Sequence, residues 1–219
     1  SDLGGWKDVS KSVADWDVSP DGARAVLGAR GDIFTVPAKN GPTRNLTQTP
    51  GVHERDVTWS PDGRWIAYIG DATGEDELYI RPQDGTGAPT QLTSGADTYK
   101  YGMAWSPDST RIAWSDKKNR LQFVEVTSKK VTLVDTGAWE IRDFTWAPDS
   151  QWLAYTRPEA RKLPDIQLYS LATGEKTRAT DGWFAVGNPE FSTDGKLLFF
   201  ISSRTFNPTY GATEWNHVY

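Results

Sequence analysis

Short apolar blocks separated by polar turn residues run along the whole chain, and the blocks repeat. Trp65-Ile66-Ala67-Tyr68-Ile69, Trp152-Leu153-Ala154-Tyr155 and Leu197-Leu198-Phe199-Phe200-Ile201 are apolar at consecutive positions, without the alternation of a half-exposed strand. A turn signal precedes each block. Ser19-Pro20-Asp21-Gly22 recurs as Ser60-Pro61-Asp62-Gly63, Ser106-Pro107-Asp108-Ser109 and Ala147-Pro148-Asp149-Ser150, and in weakened form as Ser192-Thr193-Asp194-Gly195. The second turn positions are 20, 61, 107, 148 and 193, spaced by 41, 46, 41 and 45 residues. A large apolar residue stands just before each copy: Val18, Trp59, Trp105, Trp146 and Phe191.

Turn chemistry says what each copy builds. Proline presets φ at the second turn position, aspartate tolerates the third, and glycine takes the left-handed geometry that closes a hairpin. Residues 57–60 and 64–69 are therefore expected to pair, and the other copies likewise. A third strand is expected at 77–80, 121–126 and 166–170. A more polar fourth is expected at 43–47, 90–93, 130–134 and 176–180. Four strands per repeat of this length is the dimension of a propeller blade. The predicted fold is an all-β β-propeller with at least five four-stranded antiparallel blades, at roughly 13–47, 55–93, 101–134, 142–180 and 187–219. Continuous apolar second strands imply sheets covered on both faces, and the bulky residue before each turn is expected to fill the gap between blades. Residues 1–12 read as the outer strand of an adjoining blade. The fifth copy stops at a third strand, His217-Val218-Tyr219, which favours a segment of a larger propeller over a ring closed by residues 6–12.

Composition narrows the function. A net charge of −5 argues against a nucleic-acid partner, which needs a clustered basic face. No apolar run approaches the roughly 18 residues of a membrane span. The absence of cysteine excludes disulfides, thiolate metal sites and a thiol nucleophile, and leaves the compartment open. His53 and His217 are the only histidines, and neither lies beside a strained serine turn of the Gly-x-Ser-x-Gly kind. The repeated serines are turn residues, so no catalytic residue is assigned. No phosphate or dinucleotide loop is present, and no cofactor is expected. Asp71, Glu75, Asp76 and Glu77 could offer oxygen ligands to calcium, but lack a ligand spacing of known type. A solvated hairpin loop is the favoured reading, and no metal site is assigned.

Candidate binding residues fall in the connections from one blade's last strand to the next blade's first, residues 48–55, 94–101, 135–142 and 181–187. Arg55 and Arg142 each enter an innermost strand beside the central channel, next to Asp56 and Asp143. An arginine there could pair with a peptide carboxylate through two parallel hydrogen bonds; the plainer reading is an arginine–aspartate pair linking neighbouring blades. Tyr101, Trp139 and Trp183, with Tyr99 and Phe184, could line an apolar groove, although inter-blade packing is the favoured role for most of them.

These repeats resemble the TolB-like propeller repeats found in TolB, prolyl oligopeptidase relatives and tricorn proteases. Longer strings are similar to a propeller segment of bacterial tricorn-protease homologues: Ala29-Arg30-Gly31-Asp32-Ile33-Phe34-Thr35-Val36-Pro37 with Gly41-Pro42-Thr43-Arg44-Asn45-Leu46-Thr47, then Gly74-Glu75-Asp76-Glu77-Leu78-Tyr79-Ile80, Trp114-Ser115-Asp116-Lys117-Lys118, and Phe206-Asn207-Pro208-Thr209-Tyr210-Gly211 leading to Thr213-Glu214-Trp215-Asn216-His217. The resemblance implies a large bacterial serine peptidase that degrades oligopeptides, cytoplasmic or periplasmic. Its catalytic residues and a PDZ-like domain would lie beyond the propellers. This chain would then be a non-catalytic gate or channel. Its partners would be peptides or protein segments and the rest of the parent polypeptide, with homo-oligomerisation left open. The other reading is a protein–protein interaction module of the TolB kind.

Overall fold

A computed structural model describes residues 12–203. The expected outer strand at 1–12 falls, but for residue 12, outside them, and so does the third strand of the fifth copy. Four four-stranded antiparallel sheets follow one another, and a two-stranded sheet completes the series. The first holds β1 (Val13–Val18), β2 (Arg24–Ala29), β3 (Asp32–Pro37) and β4 (Arg44–Asn45). The second holds β5 (Glu54–Trp59), β6 (Trp65–Gly70), β7 (Glu77–Pro82) and β8 (Thr90–Gln91). The third holds β9 (Lys100–Trp105), β10 (Arg111–Asp116), β11 (Arg120–Glu125) and β12 (Val131–Thr136). The fourth holds β13 (Phe144–Trp146), β14 (Trp152–Arg157), β15 (Asp165–Ser170) and β16 (Lys176–Arg178), and the last pairs β17 (Ala185–Phe191) with β18 (Leu198–Ser203). The chain is an all-β propeller. In each sheet the strands are hydrogen-bonded in chain order, and the first strands β1, β5, β9, β13 and β17 neighbour one another in succession.

The repeated turn owes its shape to a shared hydrogen-bond set. Ser60 Oγ donates to the Asp62 carboxylate and accepts the Trp65 N–H at 2.9 Å, while Asp62 accepts the Arg64 N–H at 3.0 Å. Ser19, Ser106 and Ser192 repeat the pattern. The fourth position needs a left-handed backbone, φ 66° at Gly22 and 73° at Gly63, but 60° at Ser109 and 59° at Ser150. The turns also touch: Pro20 lies beside Gly63, Pro148 beside Gly195, and Asp62 and Asp108 donate their N–H groups to Ser109 and Ser150. All five turns therefore share one face of the propeller.

The core lies between sheets. Trp59 is buried with Val26, Ile33 and Leu46 of the preceding blade, Trp105 with Ile69, Leu78 and Leu92, and Trp146 with Leu121, Phe123 and Val134. Each of the three tryptophans fills the gap behind its own blade, as the repeat predicts. Covered strands such as β6 and β10 are buried at every position after the first. Residues 197–201 depart from that expectation: Leu197, Phe199, Phe200 and Ile201 are exposed. Among the described residues their sheet has a neighbour on one side only, the fourth blade.

Candidate functional site

The channel-facing strands carry a distortion at matched places. Irregular pairing falls between Arg55 and Thr58 in β5, opposite Trp114 and Ser115 in β9, and between Gly187 and Glu190 in β17. In these three strands the residue five before the second turn position takes positive φ: Asp56 at 55°, Gly102 at 38° and Asn188 at 51°. Such bulges bend a strand and re-aim the neighbouring side chain. That neighbour is Arg55, Tyr101 or Gly187, with Arg142 at the matching place in the fourth blade.

Carboxylates tie these strands together. Asp15 accepts the Val57 N–H at 3.2 Å, and Asp17 accepts the Trp59 N–H at 2.8 Å and the Thr58 hydroxyl at 3.0 Å. The Asp15 carboxylate occupies the space above Gly28, where a Cβ would lie 1.8 Å from its Oδ1. A larger residue at 28 would expel it.

Arg55 is fully engaged. Its guanidinium pairs with Asp56 and, at 2.5 Å, with Asp76; it also donates to the Lys100 carbonyl at 3.0 Å and lies 3.9 Å over the Tyr99 ring. Its side chain is 12% exposed. The contacts to Tyr99 and Lys100 belong to the next blade, so the guanidinium bridges blades two and three. Burial raises the Asp56 pKa despite the adjacent arginine. The acidic hairpin is correspondingly not a solvated loop throughout. Asp76 accepts from Arg55 and from the Lys100 N–H, and Glu77 is buried beside the Lys100 ammonium at 3.6 Å while accepting from Thr93 and Ala96. Desolvation lowers the Lys100 pKa. The run of acids in the sequence hid this because their cationic partners, Arg55 on the same blade and Lys100 on the next, lie some two dozen residues away.

Tyr101 and Arg142 are brought together. With Gly102, Met103, Ala104, Ser115, Glu140 and Phe144 they line an open depression of about 460 Å³ where β9 meets β13. Tyr101 packs against Tyr99, ring centroids 5.1 Å apart, so aromatic contact runs from Arg55 to the depression. The Arg142 side chain is 76% exposed and pairs with Glu140, its Nε and Nη2 donating to one oxygen at 2.9 and 2.7 Å. Trp139 and Trp183 do not pack between blades; they are 65% and 77% exposed and line neither this depression nor its neighbours. Both stand in the connections between blades, outside the strands. Sequence reasoning missed Glu140, although residues two apart in an extended segment share a side. Among the described residues no three potential ligand side chains converge on a metal position.

The chain has extensive similarity to larger proteins. It is 32% identical over 209 residues to tricorn protease homolog 1 of Streptomyces coelicolor, and 28% identical over 190 residues to a tricorn protease homolog of Saccharolobus solfataricus. These matches cover 91% and 86% of the chain but 20% and 17% of the relatives, so it spans about a fifth of their length. The crystal structure of tricorn protease superposes with a TM-score of 0.81 at 20% identity, over 96% of this chain and 21% of that one. TolB of Acinetobacter baumannii shares the fold at a TM-score of 0.54 and 18% identity, over 89% and 47%. A family model of the tricorn protease second β-propeller domain matches residues 13–219, and the chain belongs to that family.

Proposed function

We propose that this propeller is the non-catalytic region of a tricorn-like serine peptidase, where it admits and holds oligopeptides on their way to catalytic residues elsewhere in the parent protein. The observation that carries the reading is the open depression with Tyr101 and Arg142 on its wall. Met103, Ala104 and Phe144 offer apolar surface to a peptide side chain, and the exposed guanidinium faces a carboxylate. Arg55 contributes by fixing Tyr99 against Tyr101 rather than by touching the ligand. Trp139 and Trp183 stand exposed outside the depression and take no part in this reading. The parent activity in this reading is supported by the names of the relatives, which are tricorn protease homologues.

The test is a titration of short peptides in free-acid and C-terminal amide forms, followed by backbone amide shifts. Acids should bind with a dissociation constant on the order of 1 mM, perturb residues 101–104 and 140–144, and remain uncleaved. Equal binding of acid and amide would remove the carboxylate role. Shifts confined to the turn face at Pro20, Pro61 and Pro107, on adding a folded partner protein, would favour an interaction module of the TolB kind. Turnover that survives repurification would end the non-catalytic reading.

A further inference from the structure

Arg55 and Arg142 hold equivalent places, each six residues before its turn proline, yet their surroundings differ. Arg55 is enclosed by two carboxylates, a carbonyl and an aromatic ring. Arg142 has one carboxylate, Glu140, and is otherwise open to solvent. We propose that Glu140 is an internal competitor for the ligand carboxylate and thereby sets the selectivity of the depression; this inference rests on the peptide-binding reading above.

The geometry carries it. A guanidinium has five N–H groups, and Glu140 holds the Nε side through both of its contacts. The fork that grips a planar carboxylate side-on is therefore already filled. An entering carboxylate must displace Glu140 or take the remaining groups beside a negative charge. Glu140 is the better anchored member, with its side chain 19% exposed against 76% for Arg142. It also lines the depression itself, so its charge meets the ligand directly. A neutral or amidated peptide end meets no such competition. In this arrangement the parent chain prefers the acid to the amide end, and the preference widens when Glu140 is removed.

The experiment uses acetyl-Ala-Ala-Phe as free acid and as amide, titrated into the chain and its Glu140→Gln, Glu140→Ala and Arg142→Gln variants. Both Glu140 substitutions should tighten acid binding by about two- to fivefold, the range an exposed ion pair supports, and leave amide binding unchanged. Arg142→Gln should abolish the difference between acid and amide. An acid preference present in the parent chain but unaltered by both Glu140 substitutions would overturn the competitor role and leave the peptide reading standing. Weaker acid binding in the Glu140 variants would overturn it too, showing instead that Glu140 holds Arg142 in place. No difference between acid and amide in any form would overturn the carboxylate reading itself.

Discussion

The hydroxyl of Ser109 accepts the backbone N–H of Asp62, 47 positions earlier, at 3.0 Å. Ser150 makes the same bond to Asp108, 42 positions earlier. Both serines stand where other copies of the turn have glycine, and both hold positive φ. The conformational cost of a side chain there is met by a bond that ties consecutive blades at the turn face. Ser109→Ala should keep the strained backbone and lose the bond, costing about 0.5–1.5 kcal/mol in urea unfolding. Ser109→Gly relieves the strain while losing the same bond, and should fall nearer the parent. If alanine and glycine are equally harmful, the backbone conformation is not what opposes the bond.

The tryptophan column should show one internal difference. Trp146 Nε1 donates to the Ala104 carbonyl at 3.0 Å, whereas the Trp59 and Trp105 indoles have no partner for that group. Replacing any of the three by alanine should cost about 3–5 kcal/mol, as for other buried large aromatics. Phenylalanine should separate them, with Trp146→Phe costing about 1 kcal/mol more than Trp59→Phe. Denaturant midpoints of the two phenylalanine variants check this.

Lys100 neutralises the buried edge between blades two and three. Lys100→Met should cost about 3–5 kcal/mol, because it leaves the buried Glu77 carboxylate without its cation and the Asp76 carbonyl without its donor. Adding Glu77→Gln should recover part of that loss, since the remaining partner is then uncharged. A double variant no more stable than the single would show that Glu77 is held mainly by Thr93 and Ala96.

Asp97 gives a pH test. Hydrogen bonds from Lys118 and Arg120 hold its carboxyl at about 2, below the usual 3.8. A depressed folded pKa contributes stability that is complete above the unfolded value and lost as pH falls through the folded one. Asp97→Asn should therefore be less stable than the parent from pH 4 upward. The gap should close as pH falls from about 4 to about 2. Paired thermal melts across that interval read it directly, and a gap that persists at pH 2 contradicts the ion-pair origin.

The repeat made the propeller legible in the chain alone. Ser-Pro-Asp-Gly encodes its turn through bonds within six residues, and Trp59, Trp105 and Trp146 mark the inter-blade gap, where each is buried against the preceding blade; Val18, at the same place in the first copy, is exposed. Residues 121–126 and 166–170 were likewise expected as strands and lie within one residue of β11 and β15. What tertiary structure decided was which charges meet. Arg55 and Arg142 carry the same local pattern, an arginine followed by an aspartate, yet one is walled in and the other exposed. The difference comes from Asp76, Tyr99 and Lys100 in one case and Glu140 in the other. Unbroken apolar runs mark the strands covered on both faces, because that burial is recorded position by position along the chain. Pairing between charges depends on how consecutive blades are set against each other, and no local period records that.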